Sequence, residues 1–332
     1  MSGSLPTLYD VAQEAGVSLA TASRALNGSS RVVKEEYRAR VLAAAERLGY
    51  TPNHSAQAVA RGASTTVALL VSDIADPYFA AIAAGVIRAA EAEGLMVTIA
   101  VTDRSTEREI ELIRMLRGQR PRVIVLAGSR SVDEPHRDTL VTELQAFQSA
   151  GGKVAVISQH ELPFDTVEID NSGGARALGL SAAELGYRGF AILAGPEGLA
   201  TARDRSAAFA AAVPSPPVRI VHGGFSRDAG YDAMISLIDA GLDGVDFVFA
   251  VNDVMAIGAL AALRDRGIRV PDHIAVAGFD DVSTAADVAP ALTTVRVPLE
   301  DAGAASIALA LGSGTVTRIP ATVILRDSTP RR

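Results

Sequence analysis

The run Thr7-Leu-Tyr-Asp-Val-Ala-Gln-Glu-Ala-Gly16-Val-Ser-Leu-Ala-Thr-Ala-Ser-Arg24-Ala-Leu-Asn27 holds two short helical patterns on either side of a glycine. Thr7 is a hydroxyl N-cap, and Asp10, three residues on, can reach back to the cap's own amide, so a helix opens there. Val11, Ala12 and Ala15 share its inward face. Gly16 ends it, because glycine accepts the left-handed backbone of a helix terminus. Ser18 caps a second helix, which Asn27-Gly28 closes. This is the layout of a helix-turn-helix, whose second helix enters the DNA major groove. A third helix is expected over 34–48, with Tyr37, Val41, Ala44, Ala45 and Leu48 on one face and Gly49 as terminator.

Beyond this headpiece, Tyr50-Thr-Pro52-Asn53 interrupts the pattern. Asn53 can cap a short segment over 55–61 that is built from small residues. A helix of that length is marginal alone in water, which suits a hinge ordered in one state only. From Thr65 onward strands and helices alternate. Strands are expected at 66–71, 96–101, 122–126, 153–157, 166–169, 190–193, 219–221, 247–250 and 274–277. Helices are expected at 79–93, 108–117, 140–149, 174–185, 204–212, 229–240, 253–266 and 299–311. Such alternation argues for parallel, doubly wound sheets. Two sets of units divided near 159–163 predict two Rossmann-like lobes with a cleft between them.

Composition narrows the function. The chain has 332 residues and no cysteine, which excludes disulfides, thiolate zinc sites and cysteine nucleophiles. The net charge is −7, yet residues 1–62 carry +2 and the remainder −9, so a nucleic-acid contact would be confined to the N-terminal module. Apolar runs such as 67–71 and 245–251 have strand length and are too short to span a bilayer. Met1-Ser-Gly-Ser does not begin a secretory signal, and a cytoplasmic protein is expected. Neither G-x-G-x-x-G after the first strand nor G-x-x-x-x-G-K-[ST] occurs, so nucleotide binding through those loops is unsupported. His54, His136, His160, His222 and His273 lack metal-like spacing. No cofactor, metal or catalytic residue is expected, and the chain reads as a binding protein rather than an enzyme.

The headpiece strings Leu8-Tyr-Asp-Val-Ala, Ala15-Gly-Val-Ser18, Ser23-Arg24, Asn27 and Gly49-Tyr-Thr-Pro-Asn53 resemble those of the LacI/GalR family of bacterial transcription repressors. The body continues the resemblance in order, with Ser72-Asp-Ile-Ala-Asp-Pro77-Tyr-Phe79, Ile169-Asp-Asn171, Val251-Asn-Asp253, Gly278-Phe-Asp-Asp281 and Leu292-Thr-Thr-Val-Arg-Val-Pro298. The resemblance implies an all-α headpiece over 1–50, a hinge helix and linker over 51–64, and an α/β body of periplasmic-binding-protein type over 65–332. Lobe 1 would hold 65–161 and 293–321, and lobe 2 would hold 162–292 and 322–332, with three crossings between them. It further implies a homodimer on pseudo-palindromic operator DNA, since the last residues carry no leucine heptad of the kind that makes tetramers.

On the same basis the DNA-contacting residues would be Thr7, Ser18, Leu19, Ala20, Thr21, Ser23, Arg24, Asn27, Asn53, Ala56 and Val59. Arg24 suits guanine, and the short hydroxyl and amide side chains suit phosphates. Val59 stands where many family members place a leucine that wedges into the minor groove. A small effector, a sugar by analogy, would sit among Ser72, Asp76, Tyr78, Phe79, Arg205, Phe225, Asn252 and Asp280. Ser72 and Asp76 also suit helix capping, Phe79 and Phe225 suit a core, and Arg205 suits a structural ion pair. Thr201, Arg203, Asp103 and Gln159 are secondary candidates. With Arg205 as the one cation of the main set, a neutral sugar is expected over a phosphate. The implied function is a repressor of a carbohydrate-utilisation operon that its effector releases from DNA. Corepression is the alternative within the family, and a stand-alone sugar-binding protein would have no use for residues 7–61.

Overall fold

The computed structural model describes residues 6–27, 33–51, 65–131, 136–159, 161–312, 314 and 317–332. The chain divides into two compact units, Met1–Ser64 and Thr65–Arg332. The first contains α1 (Leu8–Ala15), α2 (Leu19–Asn27) and α3 (Glu35–Leu48). The reciprocal cap at Thr7 and Asp10 is present, and Gly16 closes α1 with a left-handed backbone. The Thr21 amide donates to Ser18 Oγ at 3.2 Å, so Ser18 caps α2. Arg40 Nη2 donates to the carbonyl of Ala15 at 2.5 Å, which satisfies one of the free acceptors at the end of α1.

The core of this unit is small: Val11, Ala12, Ala15, Ala22, Val41, Ala44 and Ala45. Tyr37 and Leu48, expected on the inward face of α3, are instead exposed. The buried stripe at Val41, Ala44 and Ala45 is narrow because its partners on α1 and α2 are mostly alanines. Tyr37 lies under the Arg40 guanidinium, 5.9 Å from the ring centre. The expected hinge helix, with Asn53, Ala56 and Val59, lies outside the described residues.

The second unit begins with β1 (Thr66–Val71), α4 (Pro77–Ala92), β2 (Met96–Val101), α5 (Thr106–Gln119), β3 (Val123–Ala127), α6 (Arg137–Ser149), β4 (Lys153–Ser158) and β5 (Asp165–Ile169). It continues with α7 (Asn171–Glu184), β6 (Phe190–Gly195), α8 (Ala200–Ala212), β7 (Arg219–His222), α9 (Arg227–Asp239), β8 (Phe247–Ala250), α10 (Asp253–Asp265), β9 (Ala275–Ala277) and α11 (Thr284–Asp287). The last elements are β10 (Thr294–Arg296), α12 (Leu299–Ala310), β11 (Thr317–Ile319) and β12 (Thr322–Ile324). Strands run β11-β5-β4-β3-β1-β2 in one sheet and β7-β6-β8-β9 in the other, while β10 and β12 form an antiparallel pair. Within both larger sheets every pairing is parallel. Helices cover their faces, so strands such as β3 are apolar and buried throughout.

The lobe boundary differs from the expected one. Strand β5 pairs with β4 and β11, so the first lobe runs through Ile169 rather than ending at 161. Likewise β10 lies beside the second lobe, through bridges from Ala277 to Thr293 and from Asp280 to Arg296. The chain therefore recrosses after Arg296 rather than at 293. Helix α12 then returns to pack on α4, where Gly85 brings the backbones together. A Cβ at Gly85 would stand 1.9 Å from the carbonyl oxygen of Glu300.

Candidate functional site

In each sheet the strand order reverses between two neighbours, β1 and β3 in the first, β6 and β8 in the second. Ligands of open α/β sheets bind outside the carboxyl ends of strands at such points. One cavity lies there, between the lobes, enclosing about 480 Å³ of empty space, part of it open to solvent. Ser72, Asp76, Tyr78, Phe79, Arg205, Phe225, Asn252 and Asp280, the full set expected from the sequence, all line it. Arg104, Ser129, Leu199 and Thr201 complete the wall. Of these four, the sequence marks only Thr201, as a secondary candidate.

Local structure explains each placement. Asp76 follows β1 and caps α4, its Oδ1 accepting from the Tyr78 amide at 3.0 Å. Asn252 follows β8 and caps α10 through the Met255 amide at 2.9 Å. Capping and cleft lining, weighed as alternatives for Asp76, coexist there, and Asn252 combines the same two roles. Phe79 is buried in the core and still presents an edge to the cavity. Ser72 sits against Gly128, whose backbone has φ of 149°, and a Cβ at Gly128 would stand 2.6 Å from Ser72 Oγ.

Arg205 organises the cleft floor. Its Nε donates to Asn171 Oδ1, its Nη1 to the carbonyl of Val251 and its Nη2 to Asp280 Oδ1, each at 2.8 Å. The guanidinium also lies 3.8 Å from the ring centre of Phe279. Burial pushes the Asp280 carboxyl up to about 6, against the pull of Arg205. Burial likewise raises the carboxyl of Asp76 and the phenol of Tyr78 above their ordinary values. Asp253 is buried under the floor and its carboxyl is raised well above the usual range by desolvation. It accepts from Thr294 Oγ1 at 2.6 Å and from the Val282 amide at 2.9 Å.

Arg104 is the second cleft cation. It lies on a left-handed pair with Asp103, 3.8 Å from Asp76, 4.0 Å from Asp73 and 5.8 Å from the ring centre of Phe225. The premise that Arg205 is the sole cation is thereby corrected, although each arginine is matched by carboxylates. At the other edge, the Thr201 amide donates to Ser129 Oγ and the Ala200 amide to the carbonyl of Arg130, both at 3.0 Å. Helix α8 has no side-chain cap of its own. Its first amides are satisfied from the opposite lobe, and Gln159 Nε2 adds a bond to Thr201 Oγ1 at 2.8 Å. The lobes are thus closed on one another. Arg203 and Asp103 do not line the cavity.

On the headpiece, Ser18, Leu19, Ala20 and Arg24 are exposed along α2, whereas Ala22 on the opposite side is fully buried. Ser23 is half-buried. Thr21 is also half-buried, and its hydroxyl lies 2.8 Å from Ser18 Oγ. Thr7 is committed to its cap. Asn27 is the last residue of α2. Among the described residues no group of His, Cys, Asp or Glu is arranged to hold a metal ion. No helix among them is long and apolar enough to cross a membrane.

A helix-turn-helix unit in one chain with a two-lobed body closed around a polar cavity defines a DNA-binding transcription regulator of the receptor-coupled class. Residues 7–53 match the model of bacterial regulatory proteins of the lacI family, and residues 181–329 match that of the periplasmic binding protein-like domain. The HTH-type transcriptional regulator CelR of Thermobifida fusca is 35% identical over 309 residues, covering 89% of this chain and 88% of the relative. GalS of Salmonella typhimurium is 32% identical, covering 98% and 95%. Among solved structures, the CelR–cellobiose complex matches with TM-score 0.69 at 32% identity over 97% of this chain and 99% of that one. The lac repressor dimer bound to operator and the anti-inducer ONPF matches with TM-score 0.84 at 26% identity, over 98% and 100%. The chain belongs to the LacI family of bacterial transcription regulators.

Proposed function

We propose that this regulator represses a carbohydrate-utilisation operon and leaves its operator when a neutral mono- or disaccharide fills the cleft. The observation that carries the reading is the convergence of Asp76, Asp280, Arg205 and Asn252 beside Phe225 in one cavity. Carboxylates, guanidinium and amide each make paired hydrogen bonds, as adjacent sugar hydroxyls require, and an aromatic face suits the apolar side of a pyranose. Arg104 and Arg205 are both balanced by carboxylates, which disfavours a phosphorylated ligand. The cellobiose held by the CelR structure supports the same class.

The protein works as a homodimer in the cytoplasm, binding its sugar without turning it over. Leu19, Ala20 and Arg24 meet base edges, Ser18, Thr21, Ser23 and Asn27 hold phosphates, and Thr7, whose hydroxyl and amide both donate to Asp10, supports them as the cap of α1. Asn53, Ala56 and Val59 serve the central minor groove. Cleft occupancy shifts the DNA-bound state only by the difference in its affinity for two conformations, typically about 1–3 kcal/mol.

A thermal-shift screen against a carbohydrate library tests this. A saccharide at one hundred times its Kd adds about 2.7 kcal/mol of stability. The same saccharide is expected to release operator DNA and to be recovered unchanged. Tightened DNA binding instead would reverse the sign of the regulation, and hydrolysis of the sugar would end the receptor reading.

A further inference from the structure

The two side chains that hold Arg205 have neighbours in sequence with a different task. Asn171 accepts from Arg205 Nε, and Asp170 beside it accepts from Arg318 Nη2 at 2.7 Å. Asp280 accepts from Arg205 Nη2, and Asp281 beside it accepts from Arg296 Nε and Arg326 Nη2, both at 2.6 Å. Those three arginines sit where the chain passes between lobes. Arg296 ends β10 just before the second crossing, while Arg318 and Arg326 flank the third. Asp170 itself stands at the first crossing, its amide donating to the carbonyl of Ile319 at 3.0 Å.

The backbone reinforces the link. Asp280 and Asp281 have φ of 110° and 57°, conformations that L-residues seldom adopt and that persist only when the surroundings over-determine them. The Asp280 amide donates to the carbonyl of Val295 at 2.8 Å, and the Asp281 amide to Thr294 Oγ1 at 3.3 Å. Each side-chain partner of Arg205 is therefore one peptide away from a carboxylate fastened to a crossing.

We propose that Asp170 and Asp281 are positioning residues that couple the cleft to the crossings: they set Asn171 and Asp280 against Arg205 and tie them to Arg318, Arg296 and Arg326. Filling the cleft moves Arg205 and its two partners, and the adjacent carboxylates pass that movement to the segments about which the lobes turn. The inference rests on the cleft being the effector site, and its test separates the two.

Arg296 and Arg318 are more than half exposed in their side chains, so replacing either leaves the core intact. As ordinary surface pairs they would affect neither lobe geometry nor sugar affinity. The full chain has no cysteine, so Gln148→Cys and Asp232→Cys can carry spin labels on opposite lobes. Arg296→Gln and Arg318→Gln are each expected to shift the interlobe distance distribution without any sugar present, and the Arg→Lys variants to restore it. Asp280→Asn is expected to shift it too, with Arg296→Gln adding nothing on that background. Cellobiose, maltose, galactose and ribose are then titrated, and affinity for whichever binds is expected to fall roughly fivefold or more in the Gln variants. Unchanged distributions in both Gln variants overturn the coupling, as does full additivity with Asp280→Asn. A wild-type distribution that no saccharide moves counts against the sugar reading alone, and leaves the ligand-free comparison to decide the coupling.

Discussion

Arg205 Nη2 lies 2.8 Å from Asp280 Oδ1, and both side chains are almost wholly shielded from solvent. A buried pair with further hydrogen bonds is stabilising relative to one widowed partner, because an uncompensated charge is left behind when the other is removed. Arg205→Ala is therefore expected to destabilise the second unit by about 3–5 kcal/mol. Denaturant unfolding of the body checks this. Headpiece affinity for operator DNA should persist at temperatures where the variant stays folded. A loss below about 1 kcal/mol would mean that water or another cation replaces the guanidinium.

Asp280 also makes stability depend on pH. Its carboxyl is raised to about 6 from 3.8, so the folded chain binds this proton more tightly than the unfolded chain does. Stability from this group is present at low pH and is lost as pH rises from about 4 to about 6. Asp76 and Asp253 are raised and act in the same direction. Asp10, Glu107 and Glu143 are lowered, and their stabilisation is lost in the opposite direction, as pH falls. An asparagine side chain does not titrate, so the stability gap between wild type and Asp280→Asn reports this group together with its charge coupling to Asp253. That gap is expected to move against wild type between about pH 4 and about pH 6 and to stay level above. A gap independent of pH would show that Asp280 keeps an ordinary carboxyl.

Gly128→Ala probes the opposite wall. With φ of 149°, any side chain is strained there, and its Cβ would meet Ser72 Oγ at 2.6 Å. Strain of this kind costs about 1–3 kcal/mol. Ser72 lines the cavity and must shift to relieve that contact, so saccharide affinity is expected to fall together with the thermal midpoint. Ser72→Ala in the same background should recover the part of the stability lost to the clash, leaving the backbone strain in place, without recovering affinity. Recovery of both would take Ser72 out of the site.

Much of this fold is readable in the sequence because local rules and global packing agree. The capping box at Thr7 and Asp10, the alternation of strand and helix, and the polar residues at strand ends are all written in short stretches. Arg104, Ser129 and Leu199 are not legible, since their place in the wall depends on how two lobes meet. Three-residue strands such as β10 and β12 carry no periodicity, so nothing in the local pattern corrects the crossing at 293 that the family resemblance implies. The pattern also marks helix starts late at Asn171 and Ala200, where the first turns hold no large apolar residue. Tyr37 and Leu48 show the reverse failure: helical spacing marks a face, but the alanines opposite offer too little surface to cover it.

The headpiece supplies the sharpest separation of fold from effector response. Thr7 Oγ1 donates to Asp10 Oδ2 at 2.7 Å and accepts from the Asp10 amide at 3.4 Å, while the Thr7 amide donates to the same carboxylate at 2.8 Å. Replacing such a cap by alanine costs about 1 kcal/mol. In a unit whose core, among the described residues, is mostly alanine with Val11 and Val41 as its larger fully buried side chains, that is a large share of the available stability. Thr7→Ala is therefore expected to weaken operator binding and raise amide hydrogen exchange in α1, with the thermal midpoint of the body and its saccharide affinity unchanged. Thr7→Ser keeps the hydroxyl and should restore both headpiece readouts. If operator affinity falls equally in Thr7→Ser, the methyl group rather than the cap is what the headpiece needs at this position.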